Sequence, residues 1–258
     1  MHRMLKIAIY GKGGIGKSTV TANLAAAFAQ MGLKVMQIGC DPKSDSTSLI
    51  LHGQEYPTVL DLIRSEADAA NIVLEDIVHE GYGGVLCVEA GGPTPGIGCA
   101  GRGIITAFDK LEELDAYEVY QPDVVLYDVL GDVVCGGFAM PMRAQYADVV
   151  YIVTSGEKMA LYAARNIATA ISNFRARGYA QLGGIILNRR NVVDELARVQ
   201  AVANELSCDI VADIPRSDHI TWGEDAGMTA VEAYPRSEVA GIFRNLAKRL
   251  LEAGGARG

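Results

Sequence analysis

Two features of the 258-residue sequence have residue types and spacing that could do chemistry: the stretch GKGGIGKS, Gly11 to Ser18, and two cysteines set among glycines, Cys99 in GCAG and Cys135 in VCGG. The first fits G-x-x-x-x-G-K-[ST] between an apolar run and a helix-period run, the context a phosphate loop requires. Gly11, Gly13, Gly14 and Gly16, with Ile15 among them, would let backbone N–H groups close around phosphates, and the following helix N-terminus would add its positive dipole end. Lys17 would reach the β- and γ-phosphates, and the Ser18 hydroxyl would ligate Mg²⁺. Lys12 is surplus to a bare phosphate cradle. It is either a solvated loop lysine or a group that reaches across an interface to the nucleotide of a second subunit.

Two further stretches fall where an ATPase needs acids. In GCDPKSDST, Gly39 to Thr47, Asp41 and Asp45 could hold Mg²⁺ through water or orient the attacking water, and Lys43 could contact phosphate. In YDVLGD, Tyr127 to Asp132, Asp128 closes an apolar run in the manner of an acid serving the Mg²⁺ shell. ATP hydrolysis is the reaction these stretches predict.

The five cysteines are odd in number and scattered, which suits a reduced, cytoplasmic chain. Cys40 and Cys87 lie in apolar runs and read as small core residues; Cys208 falls at a predicted helix end. Cys99 and Cys135 sit instead in glycine-rich loops. Two thiolates cannot complete a four-cysteine iron–sulfur site, but a two-fold homodimer would supply two from each copy. Spacing alone allows either that shared site or two unrelated loop cysteines.

These groups need a scaffold, and the composition supplies one. Half of the residues are hydrophobic and 21% are charged, as in a globular protein with a sizeable core. The formal net charge of −8 argues against non-specific nucleic-acid binding, which needs a basic surface. No apolar run approaches the roughly 20 residues of a membrane span, and no signal peptide opens the chain. Strands are expected at LKIAIYG, KVMQIGCD, VVLYDV, VVYIVTS, GGIILN and IVADIP, with helices near 18–31, 157–177 and 194–206 and a stop at Gly32. Apolar strands without polar alternation, separated by helices, predict an α/β fold: a mostly parallel sheet with helices on both faces, of the P-loop NTPase type, as one domain over residues 1–258.

Taken together, YGKGGIGKST, GCDPKSDST, GGPTPGIGCAGRGIIT and YDVLGDVVCGGFAMP resemble the nitrogenase iron protein family, the reductase components of nitrogenase and of nitrogenase-like enzymes. Similarity continues through YIVTSGEKMALYAARNI, QLGGIILNRRN and IPRSD, about residues 5 to 235. The resemblance implies a homodimer with one [4Fe–4S] cluster at its interface, held by Cys99 and Cys135 of both copies. It implies that Lys12 is the signature lysine of the loop, and that Lys17, Ser18 and Thr19 contact phosphate and Mg²⁺. Asp41, Lys43 and Asp45 match the first nucleotide switch, and Asp128 and Asp132 the second. Asn188 matches an adenine contact, with Pro215 and Arg216 in the base loop. Arg102 matches an arginine of the docking face, a modification target in some members.

The implied reaction is ATP-gated, one-electron delivery to a separate heteromeric catalytic component, with ferredoxin or flavodoxin as the donor. The sequence departs from the nitrogenase pattern at Ser44, in the Ser217–Gly227 segment with Trp222, and in ending soon after its last predicted helix. Carbon–sulfur bond reduction and tetrapyrrole reduction therefore stand on an equal footing with dinitrogen reduction. Trp222 is expected to pack under a loop. A positioning ATPase of the ParA/MinD type also uses a deviant phosphate loop but has no use for Cys99 and Cys135. In the last helix, Val239, Ile242, Phe243, Leu246 and Leu250 share a face that is expected to dock on the sheet.

Overall fold

A computed structural model describes residues 4–65, 71–92, 100–131, 136–142, 146–175 and 180–255. One sheet of eight strands organises the chain, in the order β3-β4-β2-β5-β1-β6-β7-β8. The strands are β1 (Leu5–Tyr10), β2 (Val35–Gly39), β3 (His79–Glu80), β4 (Leu86–Glu89), β5 (Val124–Asp128), β6 (Val149–Thr154), β7 (Gln181–Asn188) and β8 (Ile210–Ile214). All neighbours pair in parallel except β3, which runs antiparallel to β4 at the edge. Parallel strands covered on both faces must be apolar along their whole length, and β5 and β6 meet that demand with every residue buried.

The helices cover the two faces of the sheet. Against one face pack Phe108 and Leu111 of α4 (Ala100–Glu113), Tyr117 of α5 (Ala116–Tyr120) and Ile167 of α6 (Lys158–Arg175). The short α2 (Val59–Ser65) and α3 (Leu74–Ile77) add Val59 and Ile77. Against the other face lies α1 (Lys17–Gln30), in which ten residues from Lys17 to Phe28 are buried. Its run LAAAF lets the helix approach the strands closely, and Gly32 at φ 81° ends the turn that follows it, as expected. Beside α1 run α9 (Ala230–Ala233) and α10 (Glu238–Gly255). Val239, Phe243, Leu246 and Leu250 of α10 are buried there, so the last helix docks on the core. Helix α7 (Glu195–Glu205) packs beside β7, and α8 (Asp218–Asp225) packs against α9.

Chain direction reverses around β1: the path first moves to β2 and returns through β5, then crosses to β6. Ligands of open α/β sheets bind at the C-terminal strand ends beside such a reversal, and Gly11 directly follows β1. The expected strands are present with bounds within about two residues. Strands β3 and β4 and helices α2, α3, α4, α5, α8 and α9 were not among the expected elements. Trp222 does not pack under a loop; it stands on α8, half exposed, in edge contact with the His219 and Tyr234 rings at 5.3 and 6.0 Å. A helix from Asp218 turns it outward. Cys40 and Cys87 are buried, as expected of core residues. Among the described residues no helix is long and apolar enough to cross a membrane.

Candidate nucleotide site

The loop between β1 and α1 is shaped by its glycines. Gly14 and Gly16 have φ of 74° and 93°, conformations that favour glycine. A Cβ on Gly11 would meet the Val153 carbonyl at 2.5 Å, and one on Gly16 the Asn188 amide at 2.6 Å. A Cβ on Gly131, after β5, would strike the Gly11 carbonyl. The neighbouring strands thus press against the loop at Gly11 and Gly16, where only bare backbone fits.

Side chains from the end of β7 and the turn after it then fasten the loop. Asn188 Nδ2 donates to the Ile15 carbonyl at 2.8 Å, and Arg190 donates to the Gly14 carbonyl at 2.7 Å. The turn that presents Arg190 is held by the buried Glu195, whose carboxylate accepts from the N–H groups of Gly156 and Arg190 at 2.9 and 3.0 Å. Within the loop the Ile15 N–H donates to the Lys12 carbonyl at 3.1 Å.

A cavity of about 370 Å³ is bounded by Gly14, Gly16, Lys17, Ser18 and Thr19, by Asp41, Lys43 and Asp45, and by Asn188, Pro215 and Arg216. Three stretches that lie far apart in sequence therefore meet in one place. Sequence reasoning missed a fourth wall, in which Ser217, Ile220, Thr221 and Glu224 line the cavity from α8. Its signal was present: Ser217 precedes Asp218 as a helix start, and Ile220, Thr221 and Glu224 recur at helical spacing. Glu224 also accepts a hydrogen bond from the Thr19 hydroxyl at 2.6 Å, fixing α8 to the start of α1.

Lys17 is buried at the foot of the cavity, close to Asp128 at the end of β5. Burial raises the Asp128 carboxyl, while Lys17 and the Ser18 and Ser46 hydroxyls oppose that shift. Ser46 donates to Asp128 Oδ2 at 2.7 Å, and Oδ1 is enclosed without a partner. An enclosed, unsatisfied carboxylate oxygen next to Ser18 suits the water shell of a divalent cation. With the glycine cradle and the buried lysine, these residues fit a nucleoside triphosphate and its Mg²⁺. Lys12 by contrast is exposed, with Nζ only 3.5 Å from its neighbour's Gly13 carbonyl, and does not line its own cavity.

In the loop after β2, Asp41 Oδ1 accepts from the Lys43 N–H at 3.0 Å, a side-chain turn beside Ser44 at φ 55°. Cys99, Cys135 and Asp132 lie outside the described residues. Arg102 is placed as a residue of α4, and its side chain is outside what is described. Among the described residues no group of three or more His, Cys, Asp or Glu could hold a metal ion.

Comparison with solved structures confirms the fold. The cell-division ATPase MinD of Pyrococcus furiosus superposes with a TM-score of 0.72 at 25% identity, covering 98% of this chain and 100% of that one. A ParA family ATPase from Chlorobium tepidum does so with a TM-score of 0.69 at 17% identity, covering 95% and 98%. Curated relatives are far nearer in sequence. The nitrogenase iron protein of Methanospirillum hungatei is 54% identical over 250 residues, 96% of this chain and 88% of that protein. That of Methanococcus voltae is 51% identical over 249 residues, 96% and 89%. A family model described as 4Fe-4S iron sulfur cluster binding proteins, NifH/frxC family, matches residues 5–256. A P-loop ATPase fold and a match along almost its whole length place this chain in the NifH/frxC family of [4Fe–4S] cluster-binding, MgATP-using iron proteins.

Proposed function

We propose that this chain is the ATP-dependent reductase component of a nitrogenase or nitrogenase-like system, working as a homodimer that passes single electrons to a heteromeric catalytic partner. The observation that carries the reading is the family match over residues 5–256, together with a cavity whose walls suit MgATP. Cys99 and Cys135 of each copy would hold one [4Fe–4S] cluster on the two-fold axis. When bound, that cluster supplies the one-electron redox chemistry.

This chain's own residues do the rest. Gly14, Gly16 and Lys17 bind the phosphates; Ser18, with Asp41, Asp45 and Asp128 behind it, holds the metal's water shell. Asn188, Pro215 and Arg216 enclose the base. Exposed Lys12 is free to reach the nucleotide of the second copy, which would make hydrolysis depend on the dimer. Exposed Met159, Tyr162, Val193 and Leu196 stand on the starts of α6 and α7 or just before them, and their apolar surface supports pairing of two copies on this side. Asp128 begins a seven-residue path to Cys135, with Asp132 between them (135 − 128 = 7). Nucleotide contacts at one end of that path can therefore reposition a cluster ligand at the other. Ferredoxin or flavodoxin is the donor of matching one-electron chemistry, and the cytoplasm is the matching compartment.

Likeness to MinD and ParA proteins reflects the shared fold, and Cys99 and Cys135 are what a positioning ATPase lacks a use for. The test is anaerobic purification with iron and sulfide analysis and EPR after dithionite reduction. About four irons per dimer and a reduced-cluster signal are expected, lost in C99S and C135S while MgATP binding persists. A colourless, EPR-silent wild-type protein would refute the reading.

A further inference from the structure

Three residues on adjacent strands stand in one row at the C-terminal edge of the sheet: Glu89 on β4 pairs with Gly39 on β2, and Gly39 pairs with Asp128 on β5. Partners in a parallel register face the same side, so two carboxylates flank a glycine. A Cβ on Gly39 would collide with the Glu89 carboxyl group and lie 2.7 Å from Ser46 Cβ. Glu89 therefore lies across the bare Cα of Gly39, and the first switch lies on top.

The switch divides itself between the two acids. Ser46 Oγ donates to Asp128 at 2.7 Å. Its neighbour Thr47 donates twice to Glu89 Oε1, from the backbone N–H at 2.7 Å and from the hydroxyl at 2.8 Å. Both residues are buried, and Gln37, two residues before Gly39, donates to the Ser46 carbonyl at 2.8 Å. Hydrogen bonds between buried groups are costly to leave unmade, so moving residues 46–47 must disturb both strand ends. There is room for such movement. A second cavity of about 340 Å³ lies against the switch, and Lys43 and Asp45 border both it and the nucleotide cavity.

The two acids lead to different cysteines. Asp128 precedes Cys135 by seven residues and Glu89 precedes Cys99 by ten (99 − 89 = 10). We infer that Glu89 is a positioning residue which, through Thr47, carries the nucleotide-dependent position of the first switch to the end of β4, in parallel with the Ser46–Asp128 contact on β5. The second switch then has a counterpart: each strand that leads to a cysteine is tied to the same dipeptide. This rests on the proposed function only for what the strand ends serve; the tie itself needs no cluster.

Hydrogen–deuterium exchange of the anaerobically purified dimer, with and without MgATP, tests it. In the wild type, MgATP should change exchange in residues 86–92 and in 128–131. E89A and T47V should lose at least half of the change in 86–92, keep that in 128–131, and bind MgATP within about threefold of wild type. T47S, which keeps the hydroxyl, should restore the response in 86–92; S46A should do the converse, losing the response in 128–131. A wild-type response in 86–92 of both E89A and T47V would overturn the inference, as would the absence of any response there in the wild type. Should T47V not fold, E89A against T47S decides on the same readout. Failure of the functional reading would appear separately, as missing iron and EPR signal in a wild-type protein that still shows the exchange response.

Discussion

Glu89 and Asp128 face the same side of the sheet two strands apart, and the Glu89 carboxyl group lies over the bare Cα of Gly39 on the strand between them. An alanine at 39 would put a methyl group where the Glu89 carboxyl lies. G39A should therefore cost about 1–3 kcal/mol, as overpacking typically does, at about 2–4 °C of Tm per kcal/mol for a chain of this size. The G39A penalty should shrink in an E89A background, where the collision with the carboxyl is gone and only the Ser46 contact remains. Thermal melts of the four proteins measure it, and equal penalties in both backgrounds would contradict the packing described.

The same enclosure makes stability depend on pH. Burial pushes the Glu89 carboxyl up from 4.5 to about 8; the two bonds from Thr47 oppose the shift, and the charges of Asp128 and Asp45 reinforce it. Above pH 4.5 the unfolded chain releases this proton while the folded chain keeps it until about 8. Folding thus takes up a proton across that window, and the site's contribution falls as pH rises, by at most about 1.4 kcal/mol per unit. E89Q removes the titration. Its Tm relative to wild type should climb between pH 5 and 8 and level off above; a constant difference would be inconsistent with a carboxyl held this way.

Lys17 faces both the cavity and Asp128. K17Q should weaken MgATP binding at least about 100-fold, some 3 kcal/mol, as isothermal titration would show. It should also raise the Asp128 carboxyl further, because the opposing positive charge is gone. Nucleotide binding by K17Q should then fall as pH drops through a range where the wild type is unaffected. Identical pH profiles for the two would separate Lys17 from Asp128.

Local signals made most of the fold legible. Strands such as VVYIVT are apolar throughout because both faces are covered, and GKGGIGKS announces its turn by composition alone. Three of the four cavity walls follow from motifs whose glycines and acids have few other uses. The α8 wall escaped because Ser217, Ile220, Thr221 and Glu224 are ordinary residues whose meaning depends on where β8 delivers them. Glu89 escaped for a related reason. In VLCVEAGG it reads as the polar end of an apolar run, and only the register with Gly39 and the fold of residues 41–48 reveals a carboxylate under a switch. Chemistry written into one segment is visible in sequence; chemistry made by juxtaposing distant, common side chains is not.

Trp222 is the only tryptophan in the chain, and its placement gives the molecule a built-in optical reporter. One face of α8 lines the nucleotide cavity, while the indole on the other stands half in solvent, edge-on to His219 and near Tyr234 of the turn after α9. Indole emission responds to solvent and to neighbouring rings, so ligand entry that shifts α8 registers as a change in colour or intensity. Titrating MgATP should move the emission of the wild type, and W222F should be blind to the same titration while binding nucleotide equally well. Occupancy of the cavity can then be followed in real time, with no label attached.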